Sequence, residues 1–174
     1  MGKLLFRIAR LKIIGTLIGF VIAYLPFLVP AKKIIQTKSV VSFYHPSPSY
    51  PGHILIIPRR VARTVFDLSA ADFVEAVSMA TEICQDKIGN YSLLINGGEK
   101  QDVMQAHFHL FAGNVASQRG LNKESGLTLS HDNMFWEQII YNLANLLSQN
   151  NISEKSFSIL IQFEGSNKPI VYFI

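Results

Sequence analysis

Apolar and polar positions recur along this chain with two periods, and the switches between those periods mark out its elements. Residues 33–37 and Val40–Tyr44 are rich in β-branched and aromatic side chains and are separated by the polar Lys38-Ser39, which predicts a first β-hairpin. The stretch His45-Pro46-Ser47-Pro48-Ser49-Tyr50-Pro51-Gly52 cannot continue it, because its three prolines restrict both themselves and the residues before them. A strand at residues 53–57 stops at Pro58. Ser69 then offers an N-cap, and Phe73, Val74, Val77, Ala80, Thr81, Ile83 and Cys84 recur at helical spacing as far as Lys87, before Gly89-Asn90. Beyond it the pattern predicts a strand at 91–95, a turn or loop at Asn96-Gly97-Gly98, and a strand at 103–111. Residues 114–129 are polar and contain two glycines, which predicts a mobile loop. Asp132 can cap a second helix over 133–149, with Phe135, Ile139, Ile140, Leu143, Leu146 and Leu147 on its apolar side. Strands at 157–163 and 170–174 flank a Gly165-Ser166-Asn167 turn.

The strand expected at 103–111 concentrates the chemistry. It contains Gln105-Ala106-His107-Phe108-His109-Leu110-Phe111, and in an extended chain successive side chains point to opposite faces. Gln105, His107 and His109 then share one face, while Ala106, Phe108 and Leu110 share the other. By itself such a His-x-His pair reads equally as a solvated polar face, two metal ligands or a reactive pair.

A different pattern precedes the domain. Residues 13–31 contain nineteen positions without a charge, and a continuous helix would extend about 28 Å at 1.5 Å per residue, close to the roughly 30 Å hydrocarbon thickness of a bilayer. Pro26 interrupts it; a helix ending before the proline suits an interfacial segment better. Lys3, Arg7 and Arg10 lie at helical spacing opposite Leu4, Leu5, Ile8 and Leu11, as in a basic amphipathic helix on anionic lipid. A signal peptide ending near Ala31 fits less well, since the apolar run is long and Lys32-Lys33 follow at once. The expectation is a membrane-associated segment at 1–31, single-pass and contacting lipid, with its side of the membrane undetermined. Residues 32–174 form one domain, of which 113–174 are a helix and hairpin extension.

Charge narrows the partners. The chain has a net charge of +4, but Lys3, Arg7, Arg10, Lys12, Lys32, Lys33 and Lys38 precede any acidic residue, and without these seven the remainder carries −3. That distribution excludes nucleic acid as a bulk electrostatic partner of the domain. Cys84 is the single cysteine, so no intrachain disulfide exists, and its apolar helical surroundings make it a packing residue.

Two separated stretches resemble one family, the histidine triad (HIT) superfamily of nucleotide hydrolases and transferases. Phe43-Tyr44-His45-Pro46-Ser47-Pro48-Ser49-Tyr50-Pro51-Gly52-His53 and the apolar run to Pro58 are similar to its aromatic, proline loop, Pro-Gly-His and strand. Leu94-Ile95-Asn96-Gly97-Gly98, then Gln101-Asp102-Val103-Met104-Gln105-Ala106-His107-Phe108-His109-Leu110, resemble its Asn-Gly, Gln-x-Val and His-x-His-x-His signature. The resemblance covers about residues 34–113. It implies an α+β domain on a HIT-like antiparallel sheet with flanking helices, here preceded by an N-terminal apolar helix. It also implies a nucleotide phosphohydrolase or nucleotidyl transferase acting on a nucleoside phosphoanhydride or related ester, with no metal and no cofactor.

In that comparison His107 is the nucleophile towards phosphorus, and neutral imidazole suits the task when its other nitrogen is fixed by a hydrogen bond. His109 would donate to a phosphoryl oxygen. Asn96, His53 and Asp102 fall on the phosphate or nucleotide side. Gln105 occupies the position of the first signature histidine and joins His107 and His109 as a catalytic candidate, an amide that can donate hydrogen bonds; this variant also resembles membrane-anchored CDP-diacylglycerol pyrophosphatases. His45 stands where many members place an acidic residue for ribose hydroxyls. These two departures keep open a non-catalytic nucleotide-binding module. A metal-binding strand protein ranks behind both, and the resemblance raises the prospect of a homodimer.

Overall fold

The computed structural model describes residues 17, 19–22, 24–25, 28–29, 31–46, 48, 50–85, 89–101, 103–122, 126–128, 133–164 and 169–174. Strands β1 (Lys33–Gln36), β2 (Val40–Tyr44), β3 (Ile54–Pro58), β4 (Asn90–Gly98), β5 (Phe108–Ala112), β6 (Leu127–Thr128), β7 (Ser156–Glu164) and β8 (Ile170–Phe173) form one sheet. Their spatial order is β1-β2-β3-β5-β4-β7-β8-β6, and the paired neighbours run antiparallel. The helices are α1 (Ala70–Gln85), α2 (Val115–Gln118), α3 (Asn133–Tyr141) and α4 (Leu143–Gln149). This is the α+β architecture on an antiparallel sheet that the family resemblance implies.

Period-two alternation gives the sheet two different faces. Ile54 and Ile56 of β3, Leu93 and Ile95 of β4, Phe108 and Leu110 of β5, and Phe157, Ile159 and Ile161 of β7 pack into one core with α1, α3 and α4. The ring of Phe73 on α1 lies 5.6 Å from that of Phe108. Helix α1 starts as its sequence predicts: the Ser69 hydroxyl accepts from Asp72 N at 3.1 Å. Thr37 and Ser39, in the first hairpin turn, donate to the Glu75 carboxylate and tie that turn to α1. Cys84 is buried in this core.

Among the described residues the opposite face is covered only in part. At one end α2 packs Val115 and Ala116 against Leu94, Phe111, Leu160, Ile170 and Tyr172. At the other, Ile22 is buried with Val41, Phe43 and Ile57, and Val29 and Ala31 pack beside them. The uncovered middle of this face holds the candidate site.

Several sequence expectations change here. Asn96-Gly97-Gly98 is not a turn but the end of β4, paired with Ser158, Phe157 and Ser156 of β7. Gly97 has no side chain because the Phe157 ring occupies that space, and Gly98, at φ +60°, approaches the Lys155 carbonyl where a Cβ would collide with it. The strand expected at 103–111 begins only at Phe108. Before it the chain bends, with Gln105 N donating to Val103 O at 2.8 Å and Ala106 N to Ala62 O at 2.7 Å, so the loop at 58–63 replaces a partner strand. The helix expected over 133–149 breaks at Asn142, whose φ of −103° and ψ of 10° leave the helical range. Its buried side contains Trp136, Ile139, Leu143 and Leu147; Asp132 and the Phe135 side chain lie outside the described residues. The stretch expected as a mobile loop contains α2, where the Asn114 side chain accepts from Ser117 N, and β6, which pairs with β8.

The N-terminal expectation is corrected. Among the described residues no helix is long and apolar enough to cross a membrane. Helical positions end at Tyr24, Leu28 sits in a single 3-10 turn, and Ile22 is buried against the sheet. Of the apolar side chains expected to face lipid, Ile22 packs on the domain, whereas Leu17, Phe20, Tyr24 and Leu28 are exposed. The single-pass, membrane-associated localisation is therefore withdrawn; the basic stretch with Lys3, Arg7 and Arg10 lies outside the described residues.

Candidate functional site

A cavity of about 650 Å³ opens on the second sheet face. Its floor comes from alternate residues of three adjacent strands: Leu55 and Ile57 of β3, His109 and Phe111 of β5, and Leu94 and Asn96 of β4. The register fixes this convergence, since Leu55 pairs with His109 and His109 with Leu94. His45 and His53 reach it from the two ends of the proline loop, and Gln105 and His107 from the bend before β5. His53, Asn96, Gln105, His107 and His109, all singled out from the sequence, are brought together; Asp102 lies outside the described residues.

The His107 ring is almost buried, at 9% exposure, and its Nδ1 lies 2.7 Å from the Gln105 carbonyl oxygen. A carbonyl only accepts, so Nδ1 carries the proton and Nε2 of the neutral ring carries the lone pair. Asn96 is oriented similarly: its Oδ1 accepts from the Ser158 hydroxyl at 2.8 Å, which presents the amide nitrogen as a donor.

Gln105 behaves differently from a group aimed at a ligand. It is 1% exposed, and its Nε2 donates to Arg60 O at 3.0 Å and Pro58 O at 3.3 Å, while Oε1 accepts from Ala62 N at 3.3 Å. The side chain thus ties the segment before β5 to the loop after β3. The backbone it steadies is the one that holds His107.

The histidines form a cluster. His53 Nε2 lies 3.0 Å from His109 Nδ1, and the rings of His45 and His53 stack at 4.1 Å. Burial, followed by the neighbouring charges that His45 and His107 would carry, lowers the His53 pKa to about 4. Burial likewise leads the causes at His109, ahead of His107, His53 and His45, and lowers its pKa to about 2. Both rings are therefore neutral near pH 7.

Sequence reasoning missed part of the wall. Arg119, at the end of α2, lines the cavity, as do Tyr50 and Phe111, whose rings meet edge to face at 4.9 Å. Ile22 reaches it from the N-terminal segment. Arg119 sits within a polar stretch where no local spacing distinguishes it from a solvated cation.

A family model of the HIT domain matches residues 28–115, half of the chain and the part that builds this cavity apart from Ile22 and Arg119. The chain belongs to the HIT domain family. Similar HIT proteins include the purine nucleoside phosphoramidase of Escherichia coli, 33% identical over 95 residues, spanning 49% of this chain and 78% of that protein. The adenosine 5'-monophosphoramidase of Saccharomyces cerevisiae is 32% identical over 85 residues, spanning 47% of this chain and 54% of that protein. Among solved structures, yeast Ap4A phosphorylase in complex with Ap4A superposes with a TM-score of 0.54 at 11% identity, covering 79% of this chain and 57% of that one. At that identity the likeness concerns the fold.

Proposed function

We propose that this HIT protein is a nucleotide phosphohydrolase or nucleotidyl transferase that works through a histidine nucleophile. The observation that carries the reading is the bond from His107 Nδ1 to the Gln105 carbonyl, which makes Nε2 the basic nitrogen of a ring lining the cavity. In the reaction Nε2 attacks phosphorus, a P–N bond forms, and the leaving group departs with the electrons of its former bond to phosphorus. Water or another acceptor then attacks the phosphohistidine and releases His107. His109 and Asn96 donate hydrogen bonds to phosphoryl oxygens as negative charge grows there, and His53 orients His109 across their 3.0 Å contact. Asp102 remains a nucleotide-side candidate on the resemblance alone.

The substrate class is a nucleoside phosphoramidate, phosphoanhydride or related ester, supported by the names of the E. coli and S. cerevisiae relatives. Tyr50 and Phe111 offer aromatic surface for a base, and Arg119 a cation for phosphate. The CDP-diacylglycerol reading loses the membrane segment that favoured it. The division of the chain at residues 31 and 32, and a homodimer, belong to the same proposal.

Incubation with phosphorus-labelled phosphoramidate and dinucleotide substrates, followed by rapid quenching, tests the reading. A labelled adduct that is lost in His107→Ala is expected; hydrolysis undiminished in that variant would remove the nucleophile assignment. A second reading, a nucleotide-binding module without turnover, is favoured by Gln105 being engaged with backbone at the first signature position. Binding of nucleoside monophosphates without hydrolysis of any substrate would select it.

A further inference from the structure

The proline loop carries a histidine at each end. His45 follows the last residue of β2, His53 precedes the first residue of β3, and His109 lies in the middle of β5. Each imidazole offers one nitrogen, and these three nitrogens all lie within 4.8 Å of one another. Three imidazole nitrogens beside an open cavity are the donor set of a metal site with a vacant coordination position.

We propose that His45, His53 and His109 bind one zinc ion whose fourth position faces the cavity. A tetrahedral zinc with bonds of about 2.0–2.1 Å places neighbouring ligand atoms about 3.3–3.4 Å apart. The His53 and His109 nitrogens, at 3.0 Å, need to separate by only a few tenths of an ångström. His45 supplies the larger adjustment from the start of the proline loop, where regular strand has ended. In the neutral pair one of the two facing nitrogens of His53 and His109 carries a proton; on zinc binding that ring changes tautomer, its proton moving to its other nitrogen, so each ring stays neutral and no net proton is released.

The choice of metal follows from the donors. An all-imidazole set of three without carboxylate suits zinc better than magnesium or calcium, which take oxygen ligands. The site lies against His107 without using it: the His107 and His109 ring centroids are 4.7 Å apart, and His107 Nδ1 remains on the Gln105 carbonyl. The fourth position can take a water or an anionic oxygen. This inference does not depend on turnover.

Chelator-treated full-length protein is titrated with zinc by calorimetry, and with cobalt(II) by visible absorption. One ion per chain is expected, together with the intense d–d bands of tetrahedral cobalt. His45→Ala and His53→Ala should each weaken binding beyond the roughly 10–100-fold that loss of a supporting outer-shell group costs, with circular dichroism confirming the fold. His45→Cys should restore cobalt binding and add a thiolate charge-transfer band, and His107→Ala should bind zinc as the wild type does. Absence of stoichiometric binding, or binding indifferent to His45→Ala, would overturn the proposal. Zinc binding retained in a protein that hydrolyses nothing would separate it from the catalytic reading.

Discussion

Replacing Gln105 by alanine tests whether the first signature position serves structure. The side chain is 1% exposed and makes one hydrogen bond of 3.0 Å and two of 3.3 Å to the backbone of Pro58, Arg60 and Ala62. A net contribution of about 0.5–1.5 kcal/mol per bond, with partners left unsatisfied in a buried setting, gives a loss of about 2–4 kcal/mol. For a chain of this size each kcal/mol lowers Tm by roughly 2–4 °C, so the midpoint should fall by about 4–16 °C. Urea titration should show a lower midpoint at unchanged slope. Gln105→Glu should destabilise more than Gln105→Ala, because it sets a carboxylate against the carbonyls of Pro58 and Arg60. A Gln105→Ala variant within about 0.5 kcal/mol of wild type, or a Glu variant more stable than the Ala variant, would refute the reasoning.

His107→Ala should lower turnover by on the order of 10⁴- to 10⁶-fold, as loss of a nucleophile does, while urea titration shows a folded domain, since the ring faces the cavity rather than the helix-packed core. His53 and His109 titrate near 4 and 2 in the folded chain against 6.5 in the unfolded one. Their contribution to stability is thus complete above about pH 6.5 and is lost as pH falls, because the unfolded chain takes up protons that the folded one refuses. Between pH 6 and 4 the slope should approach about 1.4 kcal/mol per pH unit for each ring; urea midpoints across that range measure it, and His53→Gln should flatten it. Gly97→Ala should destabilise by about 1–3 kcal/mol through collision with Phe157, and thermal melts of the double variant with Phe157→Leu should show partial compensation.

Local periodicity identified the first hairpin, α1, the strand that follows His53 and the strand that carries His109, because each of these elements buries one face and the pattern records which. Convergence of His53, Asn96, His107 and His109 was legible through motif order, even though His107 lies before β5 and not in it. What remained hidden depends on partners remote in sequence. The role of Gln105 follows from carbonyls at Pro58 and Arg60, and the conformation of Asn96-Gly97-Gly98 from the Phe157 ring on β7. An apolar run shows that a surface must be covered but not which surface: the same side chains satisfy hydrocarbon or a bare sheet face. Here Val41, Phe43 and Ile57 supply that face, and Ile22 covers it. The half of the sheet that the helices leave open is thus divided between apolar cover and a histidine-lined cavity, and the boundary runs along β3. There Leu55 packs beside the Ile22 cluster while also lining the cavity with His109, its partner across the ladder. A change in how the N-terminal segment packs therefore reaches the cavity by two routes, through Ile22 itself, which lines it, and through the β3–β5 pair of Leu55 and His109.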